Sequence, residues 1–251
     1  MNKKQFIVIL FLVFCCAVTS SAYNEDYPPY KFGNEFKGYF KLQSLAGDKP
    51  IYEDINYHYK DKKGSFELIK TNPENYFSND SLVIKINNKT ILNDKVHWHV
   101  TGFLKADIDK NGFDDYIVIS NSVGNGLFGF AFGKIYIFLG KLDGTYETIY
   151  FKSVYPNDND FIDINNDGKS EIIIGGLEYI NDHHYWSYNI YEVKDYKLVN
   201  VNAKFNDFPK FIWLTNNRND KNTTRLTQEE KQSCVEKKDK SISCGIIKSE
   251  D

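Results

Sequence analysis

Residues 107 to 120 read DIDKNGFDDYIVIS, and residues 163 to 176 read DINNDGKSEIIIGG. Each stretch sets acids and amides at alternate positions around one glycine, then turns abruptly into a run of β-branched residues. The second begins 56 positions after the first. Two segments in one register imply a repeating unit, and a repeat limits the fold more tightly than composition does.

The match extends beyond the loops. After Asp115 come YIVIS, the Gly-rich connection NSVGNGLFGFAFG, the strand-like KIYIFLG, a turn at Asp143 and Gly144, and TYETIYF. After Glu171 come IIIGG, the connection LEYINDHHY, WSYNIYEV, a turn near Lys194 and Asp195, and YKLVNVNA. Adding a strand before each loop, in HWHVTGFLKA and VYPNDNDFI, predicts one four-stranded antiparallel sheet per repeat, the size of a propeller blade. The repeats cover residues 96–152 and 153–203.

Upstream, KGYFKLQSL, IYEDINYHY, SFELIK, SLVIKI, TILN and VHWHVTGFL are short, often alternating, and divided by Gly, Asp, Asn or Pro, as antiparallel strands are. Asn87 and Asn88 tolerate positive φ and predict a hairpin turn. Downstream, FPKFIWLT reads as a closing strand. LTQEEKQSCVEKKDK reads as a short helix with capping-box spacing at Thr227 and Glu230, and its few apolar positions make it a surface appendage. The expected fold class is therefore all-β: a small or incomplete β-propeller of four-stranded antiparallel blades over residues 23–214, with a short C-terminal helix in a polar tail, residues 215–251.

The chain opens MNKKQFIVILFLVFCCAVTSSAY: two lysines, an apolar stretch from Phe6 to Val18, then small residues, with Ser20 and Ala22 placed as at a secretory cleavage site. The stretch has roughly 13 apolar residues where a spanning helix needs about 20, so residues 1–22 read as a removed signal peptide rather than a membrane span. Phe14 before Cys15 argues against a lipid-modified Cys15 or Cys16. The expected location is secreted or periplasmic. With Lys3 and Lys4 gone, the mature chain carries 29 Lys plus Arg against 34 Asp plus Glu, which points to no nucleic-acid partner. Cys234 and Cys244 remain, and in an exported chain such a pair is expected to form a disulfide.

In the first loop, side-chain oxygens fall at positions 1, 3, 5 and 9: Asp107, Asp109, Asn111 and Asp115, with Gly112 at position 6 and the Phe113 carbonyl at position 7. In the second they are Asp163, Asn165, Asp167 and Glu171, with Gly168 and the Lys169 carbonyl. Alternate side chains turn inward only if the chain curls tightly, which glycine permits. The resulting all-oxygen cage suits a hard cation, Ca²⁺ above all. An EF-hand is excluded, because its twelfth position demands Glu and here holds Val118 or Ile174.

These segments, DIDKNGFDDYIVI and DINNDGKSEIIIG, resemble the calcium loops of FG-GAP or VCBS-type repeats, the blades of integrin-like β-propellers. The resemblance implies blade architecture and Ca²⁺ ligation at Asp107, Asp109, Asn111, Asp115, Asp163, Asn165, Asp167 and Glu171, and it does not imply catalysis. Small exported bacterial proteins of this length and repeat type are also similar to periplasmic inhibitors of, or immunity proteins against, lysozyme-like cell-wall hydrolases.

Two connections offer candidate contacts with a protein partner: Phe128 and Phe130 in the first, His183, His184, Tyr185 and Trp186 in the second. Loop aromatics bury much area at small entropic cost, although aromatics also fill the space between blades. His97 and His99 alternate on one strand without an obvious third ligand. No HExxH or Gly-x-Ser-x-Gly is present. The expectation is a non-enzymatic, calcium-dependent binding protein, with an inhibitor of a cell-wall hydrolase as the sharper form. A surface module binding a glycan or matrix protein is the alternative, and a hydrolase using His97, His99 or His183 the third reading.

Overall fold

In chain order the strands are β1 (Gln43–Ser44), β2 (Asn56–Lys60), β3 (Ser65–Lys70), β4 (Ser81–Ile86), β5 (Lys89–Lys95), β6 (Trp98–Ala106), β7 (Asp115–Ser122), β8 (Phe132–Gly140), β9 (Tyr146–Val154), β10 (Phe161–Ile162), β11 (Glu171–Ile180), β12 (His183–Lys194), β13 (Lys197–Asn200), β14 (Lys210–Trp213) and β15 (Ser243–Cys244). One helix, α1 (Gln228–Lys240), precedes β15. They come from a computed structural model that describes residues 40–45, 56–60, 65–70, 81–95, 98–122, 132–205, 208–213 and 226–244. These all belong to the unit Phe32–Asp251. The signal segment, residues 1–22, lies outside the described residues, as do His97, Phe128 and Phe130.

The strands form three antiparallel sheets, each built on a four-stranded meander: β2-β3-β4-β5, β6-β7-β8-β9 and β10-β11-β12-β13. β1 extends the second sheet beside β6, and β15 extends it beside β9. The third sheet's long β12 has β11 on one edge. Its other edge is covered in succession by β14, opposite Tyr185–Tyr188, and β13, opposite Tyr191–Lys194. The all-β expectation holds, and FPKFIWLT does close a sheet. Among the described residues the three sheets remain open-edged.

Local sequence explains much of this. Asn87 and Asn88 adopt φ of 51° and 64° between β4 and β5, a two-residue turn whose twist matches the strands it joins. The Asn87 side-chain oxygen also accepts the Ser65 N–H at 2.8 Å, tying the turn to the start of β3. β8 is buried along nearly its whole length, because the second sheet is covered on both faces. Ile135, Ile137 and Leu139 point toward Phe161, Ile172, Ile174 and Tyr191 of the third sheet and its approach. Tyr136 and Phe138, on the alternate side, meet Ile84, Ile86 and Leu92 of the first sheet. A strand buried on both faces has no polar face to alternate with, so it reads as a continuous apolar run. Truncating a fully buried side chain here, such as Ile137 to Ala, costs about 2–5 kcal/mol.

Three expectations need correction. VYPNDNDFI is not one strand: β9 absorbs Val154, a 3-10 turn at Asp158–Asp160 follows, capped by Asn157, and only Phe161 and Ile162 pair with β11. The helix is not a mere appendage. Thr227 and Glu230 form the capping box, but Leu226 and Cys234 pack with Tyr185 and Phe211 against the third sheet. Cys234 is a buried free thiol rather than half of a Cys234–Cys244 disulfide, because the helix turns it into that apolar cluster. Burial pushes its pKa up to about 11.

Candidate metal centre

The first acidic loop joins β6 to β7, and the second joins β10 to β11. Each therefore connects the first two strands of its meander. Both loops fold by the same hydrogen bonds, position for position. The carboxylate at position 1 receives two amides: Asp107 takes Asn111 N–H at 2.9 Å and Gly112 N–H at 2.9 Å, and Asp163 takes Asp167 N–H and Gly168 N–H at 3.0 Å each. Position 3 receives the amide of position 5, Asp109 from Asn111 at 3.2 Å and Asn165 from Asp167 at 2.9 Å. Position 5 receives the amide of position 7, Phe113 or Lys169, at 2.8 Å in both loops.

The backbone repeats as well. Position 4 is left-handed in both loops, Lys110 at φ 60° and Asn166 at φ 59°, and position 6 is the glycine, at φ 88° and 84°. Left-handed backbone costs most residues energy, and glycine at position 6 removes that cost at one of the two points. The curl draws oxygens together, so that Asp107, Asp109 and Asp115 each offer one within 4.8 Å of the others.

The ninth positions separate the loops. Asp115 is fully buried, and both its oxygens are used, by Ile108 N–H at 2.8 Å and Gly140 N–H at 2.8 Å. Glu171 is equally buried. One oxygen accepts Ile164 N–H at 2.7 Å, while Oε1 has no hydrogen-bond partner among the described residues. Glu192 is the register partner of Glu171 on β12, and Oε1 finds no counterpart to the Gly140 amide that Asp115 uses. Burial raises the Asp115 carboxyl to about 8 and the Glu171 carboxyl to about 7, with neighbouring carboxylates adding to the rise. Burial also raises Asp109, and the Lys169 ammonium of the other loop opposes that rise.

The first loop brings three acids together and the second holds an orphaned buried oxygen, and both offer oxygen donors of the kind a divalent hard cation takes; among the described residues Asp163, Asp167 and Glu171 do not converge as the first trio does. All ten sequence-predicted loop residues occupy the two curls. Sequence reading missed the supports: Ile108 and Ile164, whose amides bind the ninth carboxylates, and Gly140, whose N–H serves Asp115 and whose carbonyl takes Asn111 Nδ2 at 3.0 Å. Isoleucine at position 2 of both loops was the available signal.

The candidate contact residues fare unevenly. Tyr185 and Trp186 are 1% and 0% exposed. They belong to the core of the third sheet and leave the contact surface, because β14 covers their edge and α1 covers Tyr185. His183 and His184 are half-buried beside the turn at Asn181 and Asp182, where Tyr179 is 62% exposed and its ring lies tilted against His184 with centroids 4.7 Å apart. This turn lies at the end of the strands opposite the acidic loops. His99 is placed by its backbone on β6.

No family model, curated protein or solved structure matches the chain.

Proposed function

We propose that this is an exported protein of propeller-like architecture, clamped by Ca²⁺, that works by binding another protein. The observation that carries the reading is the matching set of backbone amides that shapes the two loops, with Glu171 Oε1 buried and without a hydrogen-bond partner among the described residues. Carboxylates crowded by a curl and removed from water are costly unless a cation answers them. Asp107, Asp109, Asn111, Asp115 and the Phe113 carbonyl would hold one ion; Asp163, Asn165, Asp167, Glu171 and the Lys169 carbonyl would hold the other. When bound, Ca²⁺ supplies charge neutralisation and a fixed link between each loop and its strand. Three successive four-stranded meanders packed face to face support the propeller-like reading.

The partner proposed is a lysozyme-like cell-wall hydrolase, inhibited through the rim that carries Tyr179, His183 and His184. This rests on the exported, propeller-like character of the chain. An exposed aromatic flanked by half-buried imidazoles is a serviceable anchor for protein contact.

Thermal unfolding in EDTA and in about 1 mM Ca²⁺ tests the clamp. With a dissociation constant of about 10 μM, one site adds about 2.7 kcal/mol, which is several degrees in a chain of this size. Asp107→Ala and Asp163→Ala should each remove part of the rise, and identical curves in both buffers would sink the calcium reading. Peptidoglycan hydrolysis by lysozymes, measured with the protein in excess, tests the partner. Undiminished activity together with capture of a surface glycan would favour the adhesion reading instead.

A further inference from the structure

The two loops touch. Ile108, at position 2 of the first, donates its N–H to Asp115 and accepts the N–H of Ser170 on its carbonyl at 2.8 Å. Ser170 directly precedes Glu171, whose carboxylate accepts Ile164 N–H within the second loop. An unbroken path of hydrogen bonds and peptide units therefore joins the ninth position of one loop to the ninth position of the other. Its central bond is dry, since Ile108 and Ser170 are 0% and 1% exposed. A second link runs outside: Lys110 Nζ donates to the Asp167 carbonyl at 2.6 Å. The Lys110 stem lies over Gly168, where an added Cβ would meet Nζ at 2.9 Å, so the lysine is seated there by the absence of a side chain.

We propose that the loops bind Ca²⁺ as a positively coupled pair, with Ile108 and Lys110 of the first loop carrying the coupling to the second. The inference rests on the calcium reading of the loops. An empty first loop crowds the Asp107 and Asp109 carboxyls against each other and against Asp115 with no cation between them. As it opens, it withdraws the Ile108 carbonyl and the Lys110 ammonium from the second, which must then pay for its own ordering. Filling either loop pre-orders the other, and linkage makes the effect reciprocal. Repulsion between the two ions acts in the opposite sense, but it is screened over about 8 Å at physiological salt, whereas the buried contact is local and insensitive to salt.

Calorimetric titration with CaCl₂ at 0.15 M KCl measures this in the full mature chain. Asp107→Asn and Asp163→Asn each disable one loop while keeping an oxygen for one of the two amides that the carboxylate accepts. The coupling factor is the wild-type two-ion constant divided by the product of the two single-loop constants. It should be about 5-fold or more, within the usual range for coupled sites, and Lys110→Met should reduce it toward one. A wild-type factor of one overturns the coupling and leaves the calcium reading standing. A factor above one that Lys110→Met leaves unchanged overturns the role of Lys110. No binding heat and no thermal shift with CaCl₂ would overturn the calcium reading, and the coupling with it.

Discussion

The hydroxyl of Tyr136 on β8 donates to Asp94 Oδ2 on β5, a buried polar link between the first and second sheets. Lys134 Nζ approaches the same oxygen at 3.4 Å, and Tyr150 stacks on Tyr136 with centroids 5.2 Å apart. Around them the contact between these sheets is apolar, so Asp94 supplies a polar contact that admits one register. Asp94→Ala takes away the carboxylate that a buried lysine and a buried tyrosine share, and should cost about 3–5 kcal/mol. Tyr136→Phe removes one hydrogen bond and should cost about 1–2 kcal/mol. Urea unfolding measures both, and a loss below about 1 kcal/mol for Asp94→Ala would show that the link contributes little.

Glu171→Gln should act in opposite directions with and without metal. In EDTA it removes a buried ionisable carboxyl that Glu192 repels. Unfolding should then rise by about 2–4 °C, for a gain of about 1 kcal/mol. In Ca²⁺ the same change removes a charged ligand, and the calcium-induced rise should shrink. A variant less stable than wild type in EDTA would mean that Oε1 is already satisfied without a cation.

What could be read in advance was local. The acidic loops, the Asn87–Asn88 turn and the Thr227 cap each depend on residues within one or two turns of chain, and all three are present. The burial of Tyr185 and Trp186 is not legible locally, because their surroundings come from β14 and α1, remote in sequence. Lys110 drew no notice because its role exists only once the second loop lies beside the first. KIYIFLG was recognised as a strand, but only the packed second sheet explains why it has no polar face.

Cys234 should be nearly inert in the folded protein. The thiolate is the reactive form, and a pKa raised to about 11 by burial, with Glu178 adding to the rise, lowers its population about 100-fold relative to an ordinary thiol near pH 8. Modification by a thiol reagent at pH 8 should be slow in buffer and fast in denaturing urea. Rapid native labelling would contradict the burial, and an intact mass short by two hydrogens would restore the disulfide.

Asp160 should make stability fall as pH rises. Its carboxyl is sunk against protein beside Asp158 and Tyr188, and burial lifts it from 3.8 to about 8, against the hydrogen bond it accepts from Asn157 N–H at 3.0 Å. The folded state therefore holds a proton that the unfolded chain releases between those values. The contribution is complete below pH 3.8 and is lost as pH rises through about 8. Lys238, lowered to about 8 by burial, works in the opposite sense, since its stability gain comes as pH rises from about 8 to 10.5. A comparison from pH 4 to 8 keeps the two apart. Asp160→Asn retains an oxygen for Asn157 and cannot ionise, so it should match wild type near pH 4 and exceed it by a few degrees at pH 8. The difference between the two thermal curves cancels every other titrating group, and a difference independent of pH would show that Asp160 is ionised in the folded protein throughout.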